Sequence, residues 1–368
     1  MNKGTFSGTR RNSRSVVEQG LNADGFAYVP VEDDPESLRQ FYPGFKPPTS
    51  RHKPVGGTLS RKYACPSYPT SFGVTQTSTF GVTVINSVAY SNNLWVAAGD
   101  AGQLRTSTDA VTWTTRTSTF GATAILSVAY ANNLWVAAGG AGQIRTSTDA
   151  VTWTTRTSAF GATAIQSVAY GNSLWVAAGA TGQIRTSTDA VTWTTQTSNF
   201  GTTIIYSVAY GNSLWVAAGA TGQIRTSTDA VTWTTRTSNF GTSTILSVAY
   251  GGNNLWVAAG TAGQIRTSTD AVTWTTRTSG FGISAINSVA YGNNLWFTGG
   301  GYGVLETSTD AITWTSKTSN LDKTDINSIA YGNNIWVAAC NAGQLRTSTN
   351  IKDTRGYSFT NTTGYVLP

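Results

Sequence analysis

A hydrolytic site is usually built on two carboxylates, and this chain has few that could serve. Beyond Glu36 its single glutamate is Glu306. With Asp322 and Asp325 it makes the nearest approach to a pair of non-repeated carboxylates, the acid-and-base arrangement that glycoside cleavage uses. The other candidates come in multiples. Asp109, Asp149, Asp189, Asp229, Asp270 and Asp310 share one short phrase, and Arg105, Arg145, Arg185, Arg225, Arg266 and Arg346 share another. A catalytic centre needs one copy of each group in one place, so six equivalent copies read as repeated scaffold, with each arginine decorating its own unit. No catalytic residue is assigned and no enzyme activity is expected. One histidine, His52, and two distant cysteines, Cys65 and Cys340, offer no metal-binding spacing, and neither metal nor cofactor is expected. The cysteines read as free thiols unless the N-terminal segment returns to the last repeat.

The frame that must position these residues is a repeat. SVAYSNNLWVAAG starts at Ser87, and near copies start at Ser127, Ser167, Ser207, Ser247, Ser288 and Ser328. RTSTDAVTWTT or a near copy follows the first six, and all 13 tryptophans fall in these two phrases. Each unit reads as four short strands joined at Gly, Asn or Asp, residues that accept the positive φ of tight hairpins. Four strands in 40 or 41 residues is the period of a propeller blade. The expected fold is all-β: a seven-bladed β-propeller over 71–368, preceded by an extended, mostly irregular arm over 1–70. A β-solenoid, the rival, would not explain a four-strand unit. Two segments compete for the last outer strand, 72–77 and 356–361, and the C-terminal one is favoured.

The phrase Ser107-Thr-Asp109-Ala-Val-Thr112-Trp113 resembles the Asp-box, or BNR, motif of sialidase-like propellers, although it is one residue short and lacks the glycine. The whole unit, with its LWVAAG and GQIRTS strands, is similar to the repeats of Ycf48-like photosystem assembly factors, and similar repeats occur in tailed-phage virion proteins. The resemblance spans about 72–350 and implies fold more than function. It implies that the six aspartates cap the turn between the third and fourth strands through backbone N–H groups. A sialidase would also need an arginine cluster and a nucleophilic tyrosine, and the chain offers neither outside the repeats.

Differences among the seven units fall in two places: the turn between strands two and three, and the connection into strand one. In an up-and-down blade both lie on one face of the ring, while the other face carries the recurring AYxNNLW and STDAVTW turns. Drift at exposed loops and a contact surface both explain this. The candidate contact residues are Gly301, Tyr302, Leu321, Asp322, Lys323 and Asp325 in the last two units, with Asn199, Asn239 and Tyr206; aromatic and charged loops suit glycan stacking or protein docking.

The arm differs in composition. Eight of nine prolines lie at or before Pro69, and Asp34-Pro35-Glu36 reads as the start of a short helix near 35–42. Arg10, Arg11 and Arg14, with Tyr28, Phe41, Tyr42 and Phe45, are its candidate anchors on partner subunits; a tail that anchors nothing is the plainer alternative. Lys and Arg exceed Asp and Glu by 10 to 6 up to Lys62 and by 14 to 11 beyond it. Charge so diffuse does not suggest a specific nucleic-acid partner. No apolar run suits a secretion signal or a membrane span. Together these features suggest a non-enzymatic virion structural protein of a tailed phage, made in the host cytoplasm, as a head decoration or as a tail, baseplate or fibre component. Its arm would bind other virion proteins, and its variable face a host-surface glycan or protein. A lectin-like propeller and an assembly factor are the alternatives.

Overall fold

The computed structural model describes residues 72–251 and 254–348. They form seven antiparallel four-stranded sheets arranged in a ring, a seven-bladed β-propeller. β1 spans Phe72–Gln76. The first blade follows as β2 (Ile85–Ser91), β3 (Leu94–Gly99), β4 (Leu104–Ser107) and β5 (Thr114–Arg116), with β2 innermost. Blades two to six repeat this plan over 125–156, 165–196, 205–236, 245–277 and 286–317.

The second strand shows why the sequence folds this way. LWVAAG is apolar without interruption because a strand between two neighbours is buried on both faces. Side chains alternate. Trp95 and Ala97 pack toward blade seven with Val337, Ala339 and Leu345, while Val96 and Ala98 pack toward blade two with Ile125 and Trp135. Each core cluster is thus an interface between blades. Tyr90 stands opposite Trp95, and this cross-strand pair recurs in all seven blades with ring centroids 4.8–5.0 Å apart. The hairpin between β2 and β3 turns on Asn92 and Asn93, at φ 48° and 56°, where asparagine tolerates the left-handed region.

The serine of SVAY joins the inner strands. Ser87 Oγ accepts the Val128 N–H, and equivalent bonds of 3.0–3.2 Å link every blade to the next, from Ser127 and Val168 round to Ser328 and Val88. The outer strand of the seventh blade is β1. It pairs antiparallel with Leu345–Ser348, Gln76 opposite Leu345. This corrects the expectation that 356–361 closes the ring. The residues of β1 repeat the outer-strand pattern without an insertion: the Gln76 amide donates to Thr347 Oγ1 at 2.8 Å, as Gln196 does to Thr186 and Arg116 to Thr106. Arg10, Arg11, Arg14, Tyr28, Phe41, Tyr42, Phe45, the helix expected at 35–42 and Cys65 lie outside the described residues.

Candidate contact face

On one side of the ring, each blade's turn between strands two and three meets two connections. In blade one the Asp100 N–H donates to Val84 O of the incoming connection at 3.0 Å. The outgoing connection is held by Ser118, whose hydroxyl donates to Gly102 O at 2.5 Å. Gly102 has φ +63°, and a Cβ there would stand 2.3 Å from Gly121 O, so both conformation and close approach require glycine.

The repeated arginines fasten these connections from below. Arg145 is 7% exposed. Its Nη2 donates to Thr119 O and Gln143 Oε1, both at 2.8 Å, its Nη1 donates to Ile144 O at 3.1 Å, and its guanidinium carbon lies 4.7 Å from the Phe120 ring centroid. All these acceptors are neutral, and burial pulls the guanidinium pKa below its ordinary value. The arginines are therefore buried clasps, not surface decoration. Where the clasped residue is Thr79 or Thr119, its hydroxyl also accepts from Nε. With Ala159, Asn199 or Asn239 in that place, the Nε of Arg185, Arg225 and Arg266 has no partner. The Asn199 and Asn239 amides turn instead to Trp233 O and Trp274 O, at 2.8 and 2.7 Å. Both asparagines remain exposed.

The aspartates lie at the turns on the opposite side. Asp109 Oδ1 accepts the Ser107 hydroxyl and the N–H groups of Val111 and Thr112, each at 2.8 Å. The other five do the same within 0.1 Å. Donation from backbone N–H groups is the main cause holding these carboxyls below the ordinary aspartate value.

Blades six and seven bring several candidate contact residues together. Tyr302, 67% exposed, forms a bridge with Lys323, and its N–H donates to Asp325 Oδ1 at 2.8 Å. Asp322 and Lys323 are exposed, with φ 40° and 68°. Two candidates are corrected. Leu321 is buried because it takes the place of the repeated phenylalanine, packing with Leu305, Ile326 and Trp336. Gly301 is also buried, its N–H bonded to Ala285 O beneath the turn. Glu306 does not join Asp322 or Asp325 in a carboxylate pair. It is 1% exposed and accepts the Gly280 N–H at 2.8 Å, while Asp325 is engaged by Tyr302. Among the described residues no group of three or more His, Cys, Asp or Glu could hold a metal ion. Cys340 is a buried free thiol, which burial pushes up to about 12.

Sequence reasoning missed Val82 and Ile283, the most exposed large apolar side chains among the described residues, at 88% and 93%. The signal was present: both stand two residues beyond the repeated aromatic, where other blades have Ala122, Ala162, Thr202 and Thr242. Nearer the axis the face is divided. Asn86, Asn287 and Asn327 donate to the Ile125, Ile326 and Ile85 carbonyls of the next blade, at 2.9–3.1 Å. Blades two to five put half-buried Leu126, Gln166, Tyr206 and Leu246 there.

No protein-family model matches the chain, and no curated protein sequence matches it. Solved structures do share the fold. YCF48 bound to a D1 peptide is 16% identical, covering 75% of this chain and 95% of that one with a TM-score of 0.60. YCF48 from Cyanidioschyzon merolae is also 16% identical, over 73% and 96%, with a TM-score of 0.58. The WD40 propeller domain of Doa1 is 12% identical, over 80% and 97%, with a TM-score of 0.63. At these identities the likeness is one of fold.

Proposed function

We propose that this propeller is a non-enzymatic docking module whose contact face is the side formed by the turns between strands two and three and the inter-blade connections. One observation carries the reading: blade-to-blade variation concentrates on that side, and there it sets Tyr302, Ile283, Val82 and Lys323 in the open, while the opposite side repeats its turns. Exposed aromatic and apolar residues with a polar rim are the composition of protein-binding patches. One structural neighbour, YCF48, is bound to a D1 peptide, which suits this reading. The setting we propose is a tailed-phage particle, on the resemblance of the repeats, with the arm as anchor to other virion proteins.

Mass spectrometry of purified particles tests the setting, and the protein's absence from them would remove it. Substitution tests the face. Tyr302→Ala with Ile283→Ser is expected to weaken incorporation or partner binding about tenfold or more, as loss of interface anchors does. Val191→Ser, on the opposite side, is the control and is expected to have no effect. The reverse pattern would refute the docking face. A host glycan is the second reading, favoured by the exposed Tyr302, whose backbone bridges to Lys323, and a glycan array decides it.

A further inference from the structure

Six blades place an arginine in the middle of the third strand, and blade six places Glu306 there. The exchange inverts the clasp. Elsewhere the guanidinium donates to a carbonyl of the connection; here Oε1 accepts, from the Gly280 N–H at 2.8 Å and the Ser316 hydroxyl at 3.3 Å. The backbone has turned to suit. Thr79, Thr119, Ala159, Asn199, Asn239 and Asn320 have φ between 52° and 62°, whereas Gly280, their counterpart, is not in the left-handed region. A Cβ on Gly280 would lie 2.3 Å from Glu306 Oε1, so with the glutamate in this position glycine is the residue that fits.

The second carboxyl oxygen, Oε2, is buried with no partner. So is Thr298 Oγ1, on the residue directly across the sheet, where other blades have alanine. Cross-strand partners project to the same face of a sheet. A buried carboxylate with one bare oxygen is costly, whereas a carboxylic acid keeps one oxygen as acceptor and makes the other a donor.

Among the described residues no cation offsets a charge at Glu306. The incoming connection, 278–285, and the strand Leu295–Gly300 contain no charged residue. On the outer strand, Lys317 stands opposite Leu305, on the other face of the sheet. Blade five presents Arg277 toward this interface, and its Nε is bonded to Thr267 Oγ1 at 2.8 Å. Arg266 turns the other way, over Phe240.

We propose that Glu306 is a proton-operated latch: protonated at Oε2 in the closed ring, it holds the 278–285 connection through Gly280, and loss of that proton to solvent releases the connection. Burial raises its pKa above the ordinary glutamate value and outweighs the Gly280 N–H and Ser316 hydroxyl, whose donation favours the ionised form, in line with this. The sign follows. The folded state holds the proton more tightly than the unfolded chain, so the stabilisation is complete below the unfolded value and is lost as pH rises through the folded one. The latch does not depend on the docking reading, although the segment it holds carries Ile283.

Hydrogen exchange of peptides covering 278–285, corrected for intrinsic rates, tests it from about pH 5 to about pH 8. Protection in the wild type is expected to fall at least about tenfold across that range, as for one unit of pKa displacement. Glu306→Gln, a neutral isostere, is expected to hold it level, while the matching connection of blade three stays level in both proteins. The carboxyl carbon resonance missing from Glu306→Gln should titrate above the glutamate range. Superimposable exchange profiles, or a Glu306 resonance already ionised at about pH 5, would overturn the proposal. If Glu306→Gln does not fold, the same resonance, assigned through the backbone of the wild type, decides alone.

Discussion

At the scale of single residues, one side-chain type at one repeated position sets much of the local geometry. Each aspartate satisfies two N–H groups of its turn, and it does so as an anion. Hydrogen bonds to a charged acceptor exceed neutral ones in strength, but these carboxylates are largely exposed and solvent screens them. Asp189→Ala is expected to cost about 1 kcal/mol, and Asp189→Asn less, by chemical denaturation. Because the six pKa values are lowered, the folded protein binds fewer protons than the unfolded chain at acid pH. The contribution is therefore present above the unfolded aspartate value and is lost as pH falls through the folded one. Melting midpoints should decline in acid, and replacing all six aspartates with asparagine should flatten that decline. Glu306 acts in the opposite sense on the alkaline side, so the two residue types separate in one pH series.

At the scale of elements, the connection between blades is the unit worth following. Ser198 ties it to Gly182 O of the blade it leaves, and Arg225 ties Asn199 O to the blade it enters. Arg225→Ala removes the donors to Asn199 O and Gln223 Oε1 and the cation over Phe200. About 2–4 kcal/mol of destabilisation is expected, with faster hydrogen exchange in 197–204. Arg225→Lys should recover only part of it, because an ammonium cannot span both acceptors as the planar fork does.

This clasp also shows where the sequence is readable. The strands, their order in each blade and the placing of the loops follow from alternation, turn residues and period, which are local. That the arginines are buried does not follow, because a charged residue repeated at a fixed strand position looks the same whether its partners are water or the carbonyls of an inter-blade connection. Leu321 illustrates the same limit. Beside Asp322 and Lys323 it reads as an exposed loop residue, and only alignment with Phe80, Phe120 and Phe281 marks it as core. The serine ring was equally hidden, since Ser87 and Val128 belong to different blades.

For the whole molecule the issue is how a chain of near-identical units closes. Each unit buries its faces only against its neighbours, so an open ring would leave two apolar interfaces and a bare strand edge. Closure couples sequence-distant parts: Gln76 bonds Thr347, Ser78 bonds Gly343, and Arg346 bonds Thr75. β1 is thus the first strand among the described residues and the last in the ring. Because it closes the seventh blade, a chain lacking residues 1–77 loses the outer strand together with the Gln76–Thr347 and Thr75–Arg346 bonds. Its melting midpoint should fall by several degrees, since about 1 kcal/mol shifts a domain larger than 150 residues by roughly 2–4 °C and more than one bond is lost. The exposed edge of Leu345–Ser348 should also make it aggregate. Removing 356–368 instead tests the rival strand directly. With β1 in place the midpoint should stay where it was, and a drop comparable to that of the 1–77 deletion would show that the C-terminal segment shares in closing the ring.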